Sequence, residues 1–153
     1  MIFSSLKNNN LRRLPKELGD CVSLKTLSLN ANDLIALPET ICKLQNVKRL
    51  TLAANNLQNL PWRMGDMAGL HMLDLSSNPV VRLPASLGLL NDTLQKIELF
   101  ECDDLVEPPE SIIEAGHGRL MVHFGKLALF GQCSISLSPC LCADDKILAG
   151  LPP

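Results

Sequence analysis

Leucine recurs along this chain at a fixed spacing, and that spacing constrains the fold more than any other feature. From Leu24 the order is Leu-x-x-Leu-x-Leu-x-x-Asn-x-Leu-x-x-Leu-Pro, and it returns 23 residues later from Val47 and again from Leu70. A further unit starts at Leu94 after a one-residue insertion, and a truncated unit precedes Leu24. No single unit of this size can bury its own leucines, so the repeat predicts a stack of coils.

The order within one unit indicates what each part does. Leu27 and Leu29 lie on the same face of a short strand, because successive side chains of a strand point to opposite faces. The strand of the next unit would pair beside it at a distance of about 4.8 Å. Asn32 is placed to turn the chain out of the sheet and to satisfy backbone groups at the bend. The Leu37-Pro38 pair restricts φ where the chain enters its return segment.

These residues resemble the leucine-rich repeat family, and the resemblance covers about residues 4–124. The Asn-x-Leu-x-x-Leu-Pro-x-x-Ile order from Asn32 to Ile41 is similar to the intracellular Ras-group type of Ras-suppressor and scribble-like scaffolds. The resemblance implies an α/β fold built as a right-handed solenoid. Such a solenoid has a short parallel β-sheet on its concave face, irregular or 3-10 segments on its convex side, and a short C-terminal capping helix.

The repeat also divides the chain. We expect a leucine-rich repeat solenoid over residues 1–124 and an apolar, Ser- and Cys-rich tail of unknown role over residues 125–153. Ile112, Leu120 and Phe124 give the end of the solenoid a partly amphipathic pattern, which Gly116 and Gly118 weaken as a helix. The expected boundaries are a partial unit at 1–23, full units at 24–46, 47–69, 70–93 and 94–116, and a helical cap at about 109–124.

Two positions depart from the family pattern. Cys102 stands where the other units have Asn, and we expect it to be structural, because Cys is small and its thiol is a weak donor. The first unit is incomplete, although solenoids need caps at their ends. Two interpretations stay open: the chain is a fragment of a longer product, or its first strand near residues 2–6 is an open edge for a partner or a second copy.

In this family the strands line the concave face, and the residues between the leucines point into solvent, where they contact a protein partner. The resemblance and the register together give a set of predicted partner-binding residues. They are Lys25, Ser28, Asn30, Lys48, Arg49, Thr51, Ala53, His71, Met72, Asp74, Ser76, Gln95, Lys96, Glu98 and Phe100. Trp62 is a further candidate as an exposed anchor, and the alternative is that it folds over its own return segment.

The predicted face changes in charge along and across the stack. Basic side chains such as Lys25 and Lys48 lead into the strands, small residues follow, and Asp74 and Glu98 make the far end acidic. This pattern predicts a bipolar groove that would take an acidic stretch of a partner on its basic side and a basic stretch on its acidic side. The alternative is a set of solvated charges that only keep the sheet soluble.

Charge and composition exclude several classes of protein. The formal net charge is −2, from 14 Lys and Arg against 16 Asp and Glu, so the whole chain has no electrostatic footprint for nucleic acid. No secretory signal is present, so we expect a cytoplasmic protein whose six cysteines form no disulfides. Two alternatives are retained for the tail: a membrane anchor at residues 127–143, and a zinc site made by Cys133, Cys140 and Cys142.

Catalytic motifs are missing from the sequence. No nucleophile is paired with a base at a motif spacing and no phosphate-binding glycine motif occurs, so we expect neither an enzyme nor a cofactor or metal. The resemblance favours a non-enzymatic protein–protein interaction module that scaffolds or regulates intracellular signalling. The alternative is the recognition segment of a larger kinase, GTPase or phosphatase that carries the same repeats.

Overall fold

A computed structural model describes residues 3–129 of the chain, with side chains described up to Lys126 except that of Glu110. Five short strands pair in parallel, in chain order, to form one sheet. They are β1 (Phe3–Ser5), β2 (Thr26–Ser28), β3 (Arg49–Thr51), β4 (Met72–Asp74) and β5 (Lys96–Glu98). Each coil therefore adds one strand beside the previous one, and the expected solenoid with a parallel sheet is confirmed.

The leucines of successive coils lie on neighbouring rungs. Leu27 pairs with Leu50 and Leu50 with Leu73, and all three are fully buried. The next leucine of each coil continues the ladder, because the Leu29 amide donates to Thr51 at 2.8 Å. The core is therefore a column of aliphatic layers, and almost no aromatic side chain is needed to fill it.

The first four coils each return along a short 3-10 helix. These helices span Lys16–Asp20, Glu39–Lys43, Met64–Asp66 and Ala85–Leu90. Pro15, Pro38 and Pro84 precede three of them in an extended conformation, as the Leu-Pro pairs predict. One turn of such a helix is enough to turn an apolar side chain such as Ile41 or Leu87 back against the sheet, where both are fully buried.

A ladder of asparagines fastens one coil to the next. The Asn55 side-chain amide donates to the carbonyls of Leu29 at 3.0 Å and Leu52 at 2.8 Å, and its oxygen accepts from the Leu34 amide at 3.1 Å. Asn32 and Asn78 repeat this arrangement on the coils either side. The predicted role of Asn at the bend is therefore visible as hydrogen bonds across neighbouring coils.

Just before this ladder, every coil passes through the left-handed region of backbone space. The residues concerned are Asn8, Ala31, Ala54, Ser77 and Glu101, with φ between 53° and 55°. None of them is glycine, so the ladder holds each coil in a turn that its own side chain disfavours.

Two helices cap the end of the stack. Helix α1 spans Glu110–Glu114 and α2 spans His117–Leu129, and Gly116 at φ 88° breaks the chain between them. One helical cap at about 109–124 was expected, but Gly116 divides it and α2 continues five residues further. Phe124 on α2 is fully buried, and α2 seats against the last 3-10 helix.

Gly88 allows helix α2 to pack closely against the 3-10 helix Ala85–Leu90. A Cβ on Gly88 would lie 2.7 Å from the backbone nitrogen of Gly125 and the carbonyl carbon of Phe124. The cap nevertheless covers the last layer only in part, because Leu94 is buried whereas Ile97 and Leu99 are half-exposed.

Within the described residues, no helix has the length and apolarity to cross a membrane. No membrane partner was expected, and the alternative of an anchor at 127–143 lies largely outside the described residues, as does the whole of 130–153, so the structure does not test that alternative. Cys133, Cys140 and Cys142, the alternative zinc ligands, also lie outside them.

Candidate functional site

The five strands present their outer side chains as rows that run across the sheet. The middle residue of each strand is turned toward the core, and the residues on either side of it face outward on what we call the concave face. The first strand row is Phe3, Thr26, Arg49, Met72 and Lys96. The second strand row is Ser5, Ser28, Thr51, Asp74 and Glu98.

Two more rows flank the strands. The leading row comes just before the strands and the trailing row just after them. The leading row is Lys25, Lys48, His71 and Gln95, and the trailing row is Asn30, Ala53, Ser76 and Phe100. Backbone bonds align the leading row, since Lys48 donates to Lys25 at 2.8 Å and His71 donates to Lys48 at 2.8 Å. All the predicted partner-binding residues except Trp62 lie in these four rows.

A shallow open groove crosses the concave face from the first strand to the last. It follows the first strand row and the leading row. It is lined by Phe3, Thr26, Lys48, Arg49, His71, Met72, Gln95 and Lys96. Most of these side chains are exposed or half-exposed, and none of the lining residues is Asp or Glu. The groove is therefore polar and basic, with an apolar side chain at Phe3 and another at Met72.

The second strand row is polar and partly closed. The hydroxyls of Ser28 and Thr51 lie 2.7 Å apart, within hydrogen-bonding distance across neighbouring strands. Ser28 was expected to point freely into solvent, and this is wrong, because its neighbours on both sides leave it only 8% exposed. A partner could touch the other members of this row, because Ser5 is exposed and Thr51, Asp74 and Glu98 are half-exposed. Asp74 and Glu98 occupy paired positions on β4 and β5.

The acidic side chains at the far end of the concave face form hydrogen bonds and an ion pair within the protein. Asp74 accepts from the Ser76 amide at 3.1 Å, and Glu98 forms an ion pair with Lys96. Glu101 accepts from the Ser77 hydroxyl at 2.8 Å. The acidic side chains are therefore already partnered, whereas Lys48 and Arg49 form no ion pair within residues 3–129.

Trp62 does not join this face. It lies in the return segment after Pro61, where it is 70% exposed, and the Arg63 guanidinium stands 5.6 Å from the centre of its ring. Arg63 is fixed in turn by Asp66, to which its Nε donates at 2.6 Å. The ring is therefore an exposed apolar surface separate from the groove.

Two of the described cysteines, Cys42 and Cys102, have structural surroundings. Burial raises the pKa of the Cys42 thiol to about 11, so it stays protonated at neutral pH and is a poor nucleophile. Burial also raises the pKa of Cys102, whose thiol donates to the Leu75 carbonyl at 3.3 Å. The Asn78 side chain donates in the same way to the Leu52 carbonyl of the preceding coil. Cys102 therefore continues the asparagine ladder, but with a weaker hydrogen bond.

Residues 3–129 bring together no group of three or more His, Cys, Asp or Glu side chains that could hold a metal ion. Phe3 lines the groove but is absent from the residues predicted from sequence. The first unit is truncated, and only the pairing of Phe3 with Thr26 shows that β1 continues the first strand row.

Comparison with known proteins agrees with this architecture. The family model described as leucine rich repeat matches residues 22–80, and no curated protein matches the chain. A leucine-rich repeat protein of Leptospira interrogans is similar in structure, with a TM-score of 0.58 and 32% identity over 63% of this chain and 28% of that one. The described residues therefore have the fold of a leucine-rich repeat solenoid.

Two further solved structures are similar. One is a chain in the complex of BIR3 with SERK2 from Arabidopsis thaliana, with a TM-score of 0.56 and 32% identity over 63% of this chain and 53% of that one. The other is an internalin of Listeria monocytogenes, with a TM-score of 0.54 and 17% identity over 65% of this chain and 27% of that one, and it supports the fold alone. The chain thus spans between 27% and 53% of the length of these three proteins.

Proposed function

We propose that this chain is a non-enzymatic protein–protein interaction module that binds a protein partner on its concave face. One observation carries the proposal: a continuous groove crosses all five strands, and its lining side chains are held in register by the backbone ladder beneath them. Because the backbone of the sheet is already ordered, only side chains need to be ordered when a partner binds, which limits the entropic cost. A similar solved chain belongs to a complex of two proteins, which supports the same kind of work here.

The finer role that we propose is scaffolding or regulation of signalling in the cytoplasm. The Asn-Leu-Pro order of the repeat supports this assignment, since it resembles the intracellular Ras-group type. The charge difference across the concave face would orient the partner and speed its approach more than it would add affinity.

A steric block tests the binding surface without changing its charge. Ala53 lies in the trailing row, and its backbone alone takes part in hydrogen bonds with Asn30 and Ala31. Ala53→Trp should therefore keep the wild-type melting temperature while its side chain projects from the trailing row of the concave face. We expect it to lower the amount of partner captured from a lysate of the cells that express the protein, read by quantitative mass spectrometry, by about tenfold.

The matched control is Ala68→Trp on the opposite side of the coil. Ala68 is exposed in a turn where the other coils carry Val22, Gln45 and Asn91, so the position tolerates different side chains. Proteins captured by the wild type and Ala68→Trp but lost with Ala53→Trp are concave-face partners. Equal capture by all three chains would contradict the proposed function.

A second candidate is the recognition segment of a larger signalling enzyme. It is favoured by the length comparison, because the similar solved chains are about two to four times longer than the stretch they share with this one. The genomic sequence upstream of Met1 and downstream of Pro153 tests it directly. A kinase, GTPase or phosphatase domain in the same reading frame would establish this candidate.

Self-association through β1 is a third element of the proposal. β1 ends the described sheet and pairs on one side with β2. A second copy could extend the sheet there. Analytical ultracentrifugation would show a mass that rises with concentration. Ser5→Pro should reduce that rise, because the Leu6 amide donates to Ser28 of β2 and the neighbouring Ser5 amide therefore faces the open edge.

A further inference from the structure

The leading side of the groove concentrates positive charge that the protein does not neutralise. Lys25, Lys48 and Arg49 are exposed on two neighbouring coils, and none of them forms an ion pair within residues 3–129. The ion pairs described there lie elsewhere, or join Lys96 to Glu98 at the end of the groove. No carboxylate lines the groove itself.

The backbone prevents these cations from moving far apart. The Lys48 amide donates to the Lys25 carbonyl at 2.8 Å, and the Arg49 amide shares the same acceptor at 3.4 Å. Like charges on directly neighbouring strands destabilise a sheet, so the free protein carries a repulsion that a bound anion would relieve. The relief is larger for a ligand with several negative charges, because Lys48 and Arg49 line the groove and Lys25 lies beside them, with its carbonyl bonded to both of their amides.

The geometry also sets the length of the ligand. The groove crosses five strands, which at about 4.8 Å per strand spacing is a path of about 19 Å. An extended chain rises about 3.3 Å per residue, so about six residues fill this path. Phe3 at 61% exposure and the half-exposed Met72 offer apolar contacts within the same path.

We propose that the groove binds an extended acidic segment of a partner protein, about six residues long, which lies across the strands with its carboxylates against Lys25, Lys48 and Arg49. The inference rests on the proposed function and adds the chemistry of the partner. A peptide fits better than a nucleic acid, because a peptide can place its carboxylates against the coils of β2 and β3 alone, whereas a continuous phosphate backbone would also pass Asp74 and Glu98 on β4 and β5.

The test uses a defined probe and the full chain. The probe is the fluorescein-labelled hexapeptide Leu-Glu-Glu-Leu-Glu-Glu, and its uncharged control is Leu-Gln-Gln-Leu-Gln-Gln. Fluorescence anisotropy should show saturable binding of the acidic peptide, which weakens as salt rises, and no binding of the control. Lys48→Glu with Arg49→Glu should weaken that binding by at least about tenfold while the melting temperature is kept.

A matched variant separates position from total charge. Arg12→Glu with Arg13→Glu makes the same charge change at two consecutive exposed residues outside the groove. It should keep the affinity of the wild type within about twofold. Equal losses in the two double variants, or equal binding of the Gln peptide, would overturn the inference, as would a hexanucleotide RNA that displaces the probe more effectively than unlabelled peptide.

Failure of the inference and failure of the proposed function give different results. If Ala53→Trp loses its captured partners while the acidic peptide does not bind, the concave face binds proteins of another chemistry. If Ala53→Trp captures every partner of the wild type, the proposed function itself fails.

Discussion

Asn55 shows at the scale of one residue how the coils are fastened together. Asn55 is 5% exposed, and its side chain is bonded to the Leu52 carbonyl of its own coil and to the Leu29 carbonyl and Leu34 amide of the coil before it. A buried polar group of this kind stabilises the fold only while all its partners are present, because each partner left behind is then unsatisfied.

Asn55→Ala should therefore destabilise the chain by about 2–4 kcal/mol, as three buried hydrogen bonds are lost together. Equilibrium unfolding in urea measures this change. The control is Asn56→Ala, whose side chain is exposed and which keeps its backbone bond to Leu34. A loss of less than about 1 kcal/mol for Asn55→Ala would show that the ladder is dispensable.

Cys102 gives the opposite test. Its thiol makes one 3.3 Å bond to Leu75 in place of the several bonds of an asparagine amide. Cys102→Asn should therefore raise the free energy of unfolding by about 1 kcal/mol, because a neutral amide bond is stronger than a thiol bond. Cys21→Asn at an exposed position is the control. An unchanged or lower stability for Cys102→Asn would contradict the structural role of this position.

The burial of Ser28 could not be predicted from the sequence pattern. The period of two in a strand predicts correctly that Ser28 and Thr51 face away from the leucines. The same pattern contains nothing about the side chains of neighbouring coils, which cover Ser28 and hydrogen-bond it. Burial within a row depends on the sizes of its neighbours, so it follows from packing and not from periodicity.

At the scale of the element, strands were easier to predict than the cap. The 23-residue spacing fixes the pairing of Leu27, Leu50 and Leu73, since each coil repeats the one before it. Helix α2 has no such repeat, and its bounds depend on how closely it packs against the 3-10 helix Ala85–Leu90. Its continuation to Leu129 therefore could not be read from local sequence, although the break at Gly116 could be.

Gly88 controls this packing. Gly88→Ala places a methyl group 2.7 Å from the backbone of α2, so the helix must move away from its seat. We expect a destabilisation of about 1–3 kcal/mol and faster hydrogen exchange in α2. Gly118→Ala is the matched control within α2, because nothing lies within 4 Å of the added Cβ. The control should stabilise the chain by up to about 1 kcal/mol through helix propensity.

Hydrogen exchange of α2, read by mass spectrometry, distinguishes Gly88→Ala from its control Gly118→Ala, because only the first should speed exchange in this helix. Unchanged protection of α2 in Gly88→Ala would contradict a close contact between this glycine and the cap.

At the scale of the whole molecule, the inner face of the sheet stabilises the fold and the outer face is available for binding. The inner side is a continuous aliphatic column, with Leu29, Leu52 and Leu75 fully buried. The outer side keeps Lys48 and Arg49 exposed, because the ladder needs only the backbone and the inner side chains. The rows of the concave face could be predicted from the repeat, since any position is copied once per coil. A groove was predicted, but its course along the leading row and the first strand row was not, because that course depends on side chains such as Phe3 that vary from coil to coil.

The central claim is that the coils form one aligned stack, and the amides of Leu29, Leu52 and Leu75 test it most directly. These amides donate to Thr51, Asp74 and Glu98 of the next coil at 2.8, 2.8 and 2.9 Å. Native-state hydrogen exchange of the full chain, read residue by residue by NMR, measures the free energy needed to open each of them. We expect all three to be strongly protected, with opening free energies that agree within about 1 kcal/mol, because neighbouring coils open together. Exchange of these amides at the rate of an unstructured peptide would contradict the stack.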